Sequence, residues 1–212
     1  MKDFGLYIVM TKPRLGYLEF TKICVEEGVP MLQLRDKTMC DREYLILAEQ
    51  LRDICKGSQT RFLIDDRLDL CLLADVDGLH LGQDDIHWIQ ARNLLPDKLI
   101  GVSTHSLGQF EALNTEIETS GKSPDYISFG PIFPTVAKAI PDPPVGTLHL
   151  AQVLDAAKHP IVAIGGIFPN NLEEVLASGA KNISMIRHFG DCTDSRTLRD
   201  NIRTIKDLWR KQ

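Results

Sequence analysis

Short apolar runs alternate with longer stretches whose apolar positions recur every three or four residues, and the alternation continues along the whole chain. The short runs predict strands at Leu6–Val9, Met31–Leu34, Phe62–Ile64, Gly78–Leu81, Leu99–Val102, Tyr126–Phe129, Ile161–Ile164 and Ile183–Ile186. Between them lie helical stripes: Leu47, Ala48, Leu51, Ile54 and Cys55; then Phe110, Leu113 and Ile117; and last Leu198, Ile202, Ile205 and Leu208. Helix starts are expected at Asp41, Ser106 and Asn170, where a side-chain oxygen can accept from a free backbone N–H. Strands separated by helices imply a parallel sheet, and eight is the number that closes a (β/α)8 TIM barrel. The competing architecture, an open doubly wound sheet, usually carries a glycine-rich turn after its first strand. Here that turn, Met10–Arg14, has no glycine. The barrel is the preferred reading, as a single domain over residues 1–212. Residues 131–146 hold five of the eleven prolines. That stretch is too long and too proline-rich for a tight connection, and reads as a mobile active-site loop.

The remaining composition narrows the class. Of 212 residues, 29 are acidic and 24 basic, giving a formal net charge of −5. A nucleic-acid or membrane-surface binder would need the opposite balance. No apolar run approaches the roughly 20 residues of a membrane span, and the start, MKDFGLYIVM, reads as a strand rather than a secretory leader. Five cysteines, with no CxxC pair, suggest reduced thiols and a cytoplasmic setting. A homo-oligomer is compatible with these features.

In a parallel barrel the chemistry lies at the C-terminal ends of the strands, and there the polar residues collect. Gln33, Arg35 and Lys37 alternate onto one side after the second strand, an amide and two cations suited to phosphate oxygens. Asp65 and Asp66 follow the third strand, Asp85 the fourth, Ser103, Thr104 and His105 the fifth. Thr135, Val136, Ala137 and Lys138 lie beyond the sixth, Gly165 and Gly166 after the seventh, and Arg187 and His188 after the eighth. Each piece also has a plain structural reading: solvated loop charges, helix caps, a tight glycine turn. Those readings weaken together because all of them would have to hold at one rim. Asp66 and Asp85 suit Mg²⁺, which takes a few carboxylates, waters and phosphate oxygens; no Cys/His cluster suggests zinc. Glycine turns after strands seven and eight are where barrels hold a phosphate monoester. The site is therefore expected to take a diphosphate with Mg²⁺ on one side and a monophosphate on the other.

The runs QLRDK, IDDRLDL, DGLHLGQDD, GVSTHS, GPIFPTVAK and AIGGI, in this order, resemble the thiamine-phosphate synthase (thiamine-phosphate pyrophosphorylase) family, whose superfamily includes the thiazole tautomerases. The resemblance implies a transferase of thiamine biosynthesis that joins hydroxymethylpyrimidine diphosphate to a thiazole phosphate and releases diphosphate. It implies Gln33, Arg35, Lys37, Asp65, Ser103 and Lys138 at the pyrimidine diphosphate, with Arg35, Lys37, Ser103 and Lys138 acting on the leaving group. It implies Asp66 and Asp85 as Mg²⁺ ligands, and Thr135, Val136, Ala137, Gly166, Ile186 and Arg187 at the thiazole phosphate. Three positions depart from the family pattern: Asp65 replaces an asparagine, Ala137 a threonine and Arg187 a small serine. The alternatives are a tautomerase-like isomerase using His105 for proton transfer, and a non-catalytic barrel that keeps the pocket. Retention of Asp66 and Asp85 favours the synthase, whose diphosphate calls for a metal.

Overall fold

In the computed structural model, which describes residues 3–135 and 142–210, the strands are β1 (Gly5–Met10), β2 (Met31–Leu34), β3 (Arg61–Asp65), β4 (Gly78–Leu81), β5 (Leu99–Thr104), β6 (Tyr126–Phe129), β7 (Ile161–Ile164) and β8 (Asn182–Met185). They close into a barrel in chain order, β1 to β8. The helices are α1 (Tyr17–Glu26), α2 (Asp41–Cys55), α3 (Leu68–Ala74), α4 (Trp88–Leu94), α5 (Leu107–Ser120), α6 (Gly146–Ala156), α7 (Leu172–Ala177), α8 (Arg187–Gly190) and α9 (Ser195–Arg210). All eight expected strands form, four with the expected bounds and the others displaced or extended by one or two residues at an end. Every residue of β2, β4, β6 and β8 is buried. A strand covered on both faces is largely apolar, and the polar residues these segments do carry, Gln33, His80, Ser128, Asn182 and Ser184, are buried with it.

The chain forms two compact units, Met1–Gly5 with His80–Ser184, and Leu6–Leu79 with Met185–Gln212. In the second unit, β1, β2 and β3 pair in parallel, with Val9 opposite Gln33 and Gln33 opposite Leu63. In the first, Gly101 lies opposite Tyr126 and Ser103 opposite Ser128 on β5 and β6. These registers decide which polar side chains meet.

The helices follow their stripes with small corrections. On α2 the buried residues are Tyr44, Ala48, Leu51 and Cys55, one turn-spaced face, so the stripe sits one step round from Leu47 and Ile54. Asp41 begins this helix but does not cap it. Cys40 occupies the cap, and Asp41 and Glu43 lie in the first turn, where carboxylates favour the positive helix end. Ser106 is the expected cap of α5, its hydroxyl accepting from Gln109 N. Asn171, not Asn170, precedes α7. On α9, Leu198, Ile202 and Ile205 are buried, and Arg199 and Arg203 close on Glu27 beyond α1. Cys24, Cys55, Cys71 and Cys192 are buried free thiols, and Cys40 is an exposed one. Among the described residues no helix is long and apolar enough to cross a membrane.

Candidate active site

The ends of β2 and β3 bring five predicted residues together. Gln33 is buried, and its Nε2 donates to Asp65 Oδ1 at 2.9 Å. Arg35 Nε meets the other oxygen of Asp65 at 3.0 Å. The Asp65 side chain is only 9% exposed, so its charge is built into the fold by one hydrogen bond and one ion pair. A carboxylate so occupied is a poor direct contact for a diphosphate and a good anchor for a guanidinium. The pairing uses Nε and leaves the terminal nitrogens of the Arg35 fork out of it. The backbone around Arg35 is held as well: its N–H donates to Met10 O, and the Tyr44 hydroxyl donates to Leu34 O.

Lys37 and Asp66 form a second pair, Nζ to Oδ2 at 2.8 Å. The hydrogen bond to Asp66 raises the Lys37 ammonium above its ordinary pKa. With Lys37 58% exposed, the pair is worth about 0–1 kcal/mol, so it exchanges readily for a better partner. The Arg35–Asp65 pair does not share this freedom. Asp66 has φ 61°, and Arg67 N–H closes back on Asp65 O at 2.6 Å across it. A non-glycine residue at the centre of such a three-residue turn holds strain of about 1–3 kcal/mol, of the kind that collects at functional sites. A pocket in this unit is lined by Lys37, Asp65, Asp66, Tyr44, Asp41 and Arg67, among others. Arg67 is engaged by Asp41 and Asp69 on the outer side.

The other unit carries the polar ends of β4 to β7. Asp85 accepts from Gly82 N–H through Oδ2 at 2.7 Å, which folds the segment after β4 into a tight loop. Gln83 Nε2 donates to Ser103 O at 2.5 Å. Ser103 Oγ lies 2.9 Å from His80 Nε2 and 3.1 Å from Ser128 Oγ, and His80 Nδ1 lies 2.8 Å from the Tyr126 hydroxyl. His105 Nδ1 lies 2.8 Å from Gly130 O. A carbonyl can only accept, so Nδ1 carries the proton, and the ring ties the end of β5 to the start of the proline-rich loop.

That loop and the glycine turn fit each other closely. Ile132 N–H donates to Ile164 O and Phe133 N–H to Gly165 O. Gly165 (φ 96°) and Gly166 (φ 67°) adopt conformations that L side chains rarely take. A Cβ on Gly165 would lie 2.5 Å from Pro131 Cα, and one on Gly166 2.7 Å from Phe133 O. The two glycines therefore serve a close backbone approach as well as a turn. Asn171 braces the turn, donating to Gly166 O and accepting from Phe168 N–H.

Of the predicted residues, Gln33, Arg35, Lys37, Asp65 and Asp66 are brought into direct contact. Ser103 joins a network that includes His80, Tyr126 and Ser128. Thr135 and Gly166 belong to the same unit as Ser103. Ile186 precedes α8 and Arg187 is its exposed first residue. Val136, Ala137 and Lys138 lie outside the described residues, as does part of the 131–146 loop. Sequence reading assigned no role to His80, Tyr126, Ser128 or Asn171. His80 and Tyr126 look like ordinary strand residues, and only the pairing of Gly101 with Tyr126 discloses the contact. Among the described residues no group of three or more His, Cys, Asp or Glu side chains forms a metal cage. A hard divalent ion sharing its shell with water and a diphosphate needs no such cage.

Residues 6–189 match the thiamine monophosphate synthase family. The thiamine-phosphate synthase of Shouchella clausii is 40% identical over 190 residues, covering 88% of each chain. That of Halalkalibacterium halodurans is 37% identical over 209 residues, covering 97% of this chain and 96% of its own. Among solved structures, the thiamine phosphate pyrophosphorylase of Pyrococcus furiosus superposes with a TM-score of 0.82 at 31% identity, covering 98% of this chain and 97% of that one.

Proposed function

Since the chain belongs to the thiamine monophosphate synthase family, we propose that it joins hydroxymethylpyrimidine diphosphate to a thiazole phosphate with the help of Mg²⁺. The observation that carries this reading is the double pairing at the ends of β2 and β3, Arg35 with Asp65 and Lys37 with Asp66. It sets two cations for an anionic leaving group beside a carboxylate that already accepts a cation. The Lys37 ammonium on Asp66 is a stand-in for a metal ion, and Asp85 adds a second carboxylate after the next strand.

In the reaction, the C–O bond between the pyrimidine methylene and the diphosphate breaks, and diphosphate departs with the electron pair. The aminopyrimidine stabilises the cation left behind. The thiazole nitrogen then gives its lone pair to the methylene carbon, forming the C–N bond. The protein's work is positioning and charge stabilisation. Arg35, fixed through Nε, offers its fork to the diphosphate; Lys37 transfers to it from Asp66; and Ser103 and Lys138 add donors. Asp66 and Asp85 hold Mg²⁺, whose contribution when bound is to neutralise charge on the diphosphate oxygens. Gly166 with Thr135, Val136 and Ala137, and Ile186 with Arg187, receive the phosphate of the thiazole. The five free cysteines support a reducing, cytoplasmic setting.

The test is to incubate the purified protein with both substrates, with and without Mg²⁺, and follow thiamine phosphate by mass spectrometry. Product that depends on Mg²⁺ and is lost in Asp66→Ala is expected. No product with both substrates and metal present, or full activity of Asp66→Ala without metal, would refute the assignment.

A further inference from the structure

A polar chain crosses three neighbouring strands of one unit. Tyr126 on β6 is fully buried, and its register partner on β5 is Gly101. A Cβ at position 101 would lie 2.0 Å from Tyr126 Cζ and 2.3 Å from its hydroxyl. The phenol ring thus lies across the space a side chain on β5 would fill. That passage lets the hydroxyl reach His80 on β4, 2.8 Å from Nδ1, with the two rings stacked at 5.6 Å and 17°. The far nitrogen, Nε2, meets Ser103 Oγ at 2.9 Å, and Ser103 meets Ser128, its own register partner, at 3.1 Å. His80 is 8% exposed and Ser128 2%, so the only partly open group in the chain is Ser103.

A neutral imidazole donates from one nitrogen and accepts at the other, and the bond made at one fixes the role of the other. With the proton on Nε2, His80 donates to Ser103, and the Ser103 O–H is released from the imidazole, to be given to an anion while Ser128 donates to Ser103, or to Ser128 when no anion is present. With the proton on Nδ1, Ser103 must donate to His80 and turns only lone pairs to its other neighbours. The tautomer therefore sets the sign of the interaction between Ser103 and a phosphate oxygen. A phenol, ordinary pKa about 10, is a stronger donor than an aliphatic hydroxyl, so the Tyr126 O–H donates a hydrogen bond to Nδ1, which accepts.

We infer that Tyr126 and His80 are positioning residues: Tyr126 holds His80 as the Nε2–H tautomer, and His80 in turn presents the Ser103 hydroxyl as a donor to the diphosphate. The functional half of this inference rests on the diphosphate reading of Ser103; the hydrogen-bond chain does not. Gly101 is the structural condition for the chain, because any side chain there displaces the ring.

Two measurements test it. Long-range ¹H–¹⁵N correlation on ¹⁵N-histidine-labelled protein reads the His80 tautomer directly in the unmodified chain. Nε2–H is expected, and Nδ1–H overturns the inference whatever any variant does. Calorimetric titration with inorganic diphosphate in the presence of Mg²⁺ then compares the parent with Tyr126→Phe, Ser103→Ala and the double variant. A hydrogen bond to a charged group corresponds to about tenfold or more in affinity. Tyr126→Phe should weaken binding about tenfold in the Ser103 background and leave it unchanged in the Ser103→Ala background. Parent-like affinity of Tyr126→Phe, or an equal loss in both backgrounds, overturns the inference. A parent protein that does not bind diphosphate removes the functional half together with the diphosphate reading, and the tautomer result separately decides the chain.

Discussion

Replacing Arg35 with alanine should destabilise the empty protein as well as the liganded one. Asp65 is 8% exposed and is held by a hydrogen bond from Gln33 Nε2 at 2.9 Å and an ion pair with Arg35 Nε at 3.0 Å. Arg35→Ala removes the charged donor and leaves a buried carboxylate with a neutral amide. Breaking a fully buried pair in this way costs about 3–5 kcal/mol. The Arg35 side chain is 21% exposed, so water reaches part of the site and a loss of about 2–3 kcal/mol is expected. For a protein of this size that is a fall in Tm of roughly 4–12 °C. Asp65→Asn keeps an oxygen for Arg35 Nε and should cost only about 1 kcal/mol. The double variant, Asp65→Asn with Arg35→Ala, has no stranded charge and should melt above Arg35→Ala alone. Thermal and urea denaturation of the four proteins without ligand or metal gives the coupling directly. Arg35→Ala melting within a degree of the parent, or a double variant no more stable than Arg35→Ala, would show that Asp65 does not depend on Arg35.

Glu27→Gln should lower Tm at pH 7 by loosening the hold of α9. Hydrogen bonding from Arg203, then Arg199, keeps the Glu27 carboxyl below its ordinary value. A lowered carboxyl pKa contributes stability above the unfolded value, about 4.3, and loses it as pH falls through the folded value. The Tm gap between Glu27→Gln and the parent should therefore close in acid, and a gap that widens in acid would contradict the sign. Gly166→Ala places a Cβ 2.7 Å from Phe133 O at φ 67°. Steady-state kinetics should show a higher KM for the thiazole phosphate with diphosphate binding little changed, whereas the reverse pattern would take Gly166 out of the phosphate site. Lys37→Met should weaken diphosphate binding and tighten Mn²⁺ binding, because Lys37 occupies Asp66, the carboxylate proposed as a metal ligand. Calorimetry with each ligand alone reads both, and weakened Mn²⁺ binding would oppose the exchange.

The barrel was legible because strands covered on both faces must be apolar nearly throughout, so their runs stand out even at four residues. Their ends were less so: β3 and β5 run on into Asp65 and Thr104, polar residues whose backbone continues the ladder. The helix cap at Asn170 failed by one residue because two asparagines stand together. Asn171 is the one tied into the turn, holding Gly166 O and Phe168 N–H. At the site, residue types and spacing pointed to Gln33, Arg35, Lys37, Asp65 and Asp66, but not to which cation meets which carboxylate. That depends on side-chain reach across β2 and β3. His80 and Tyr126 escaped notice for the same reason. They lie 46 residues apart, and their meeting depends on a glycine between them on a third strand.

The two ion pairs divide the work by their exposure. Lys37–Asp66 is open to water on the lysine side, 58% exposed against 22% for Asp66, and a pair of this kind is worth about 0–1 kcal/mol. Under the proposed reaction its members are the ones that exchange, Lys37 to the diphosphate and Asp66 to the metal. Arg35–Asp65 is the less exposed pair, 21% and 9%, so Arg35 is held more firmly than Lys37. This gives Asp65 a use that an uncharged residue would fill less firmly: it holds Arg35 beside the more exposed Lys37. The strain at Asp66, φ 61°, belongs to the same arrangement, because the turn that carries it sets Asp65 and Asp66 as consecutive residues toward two different cations.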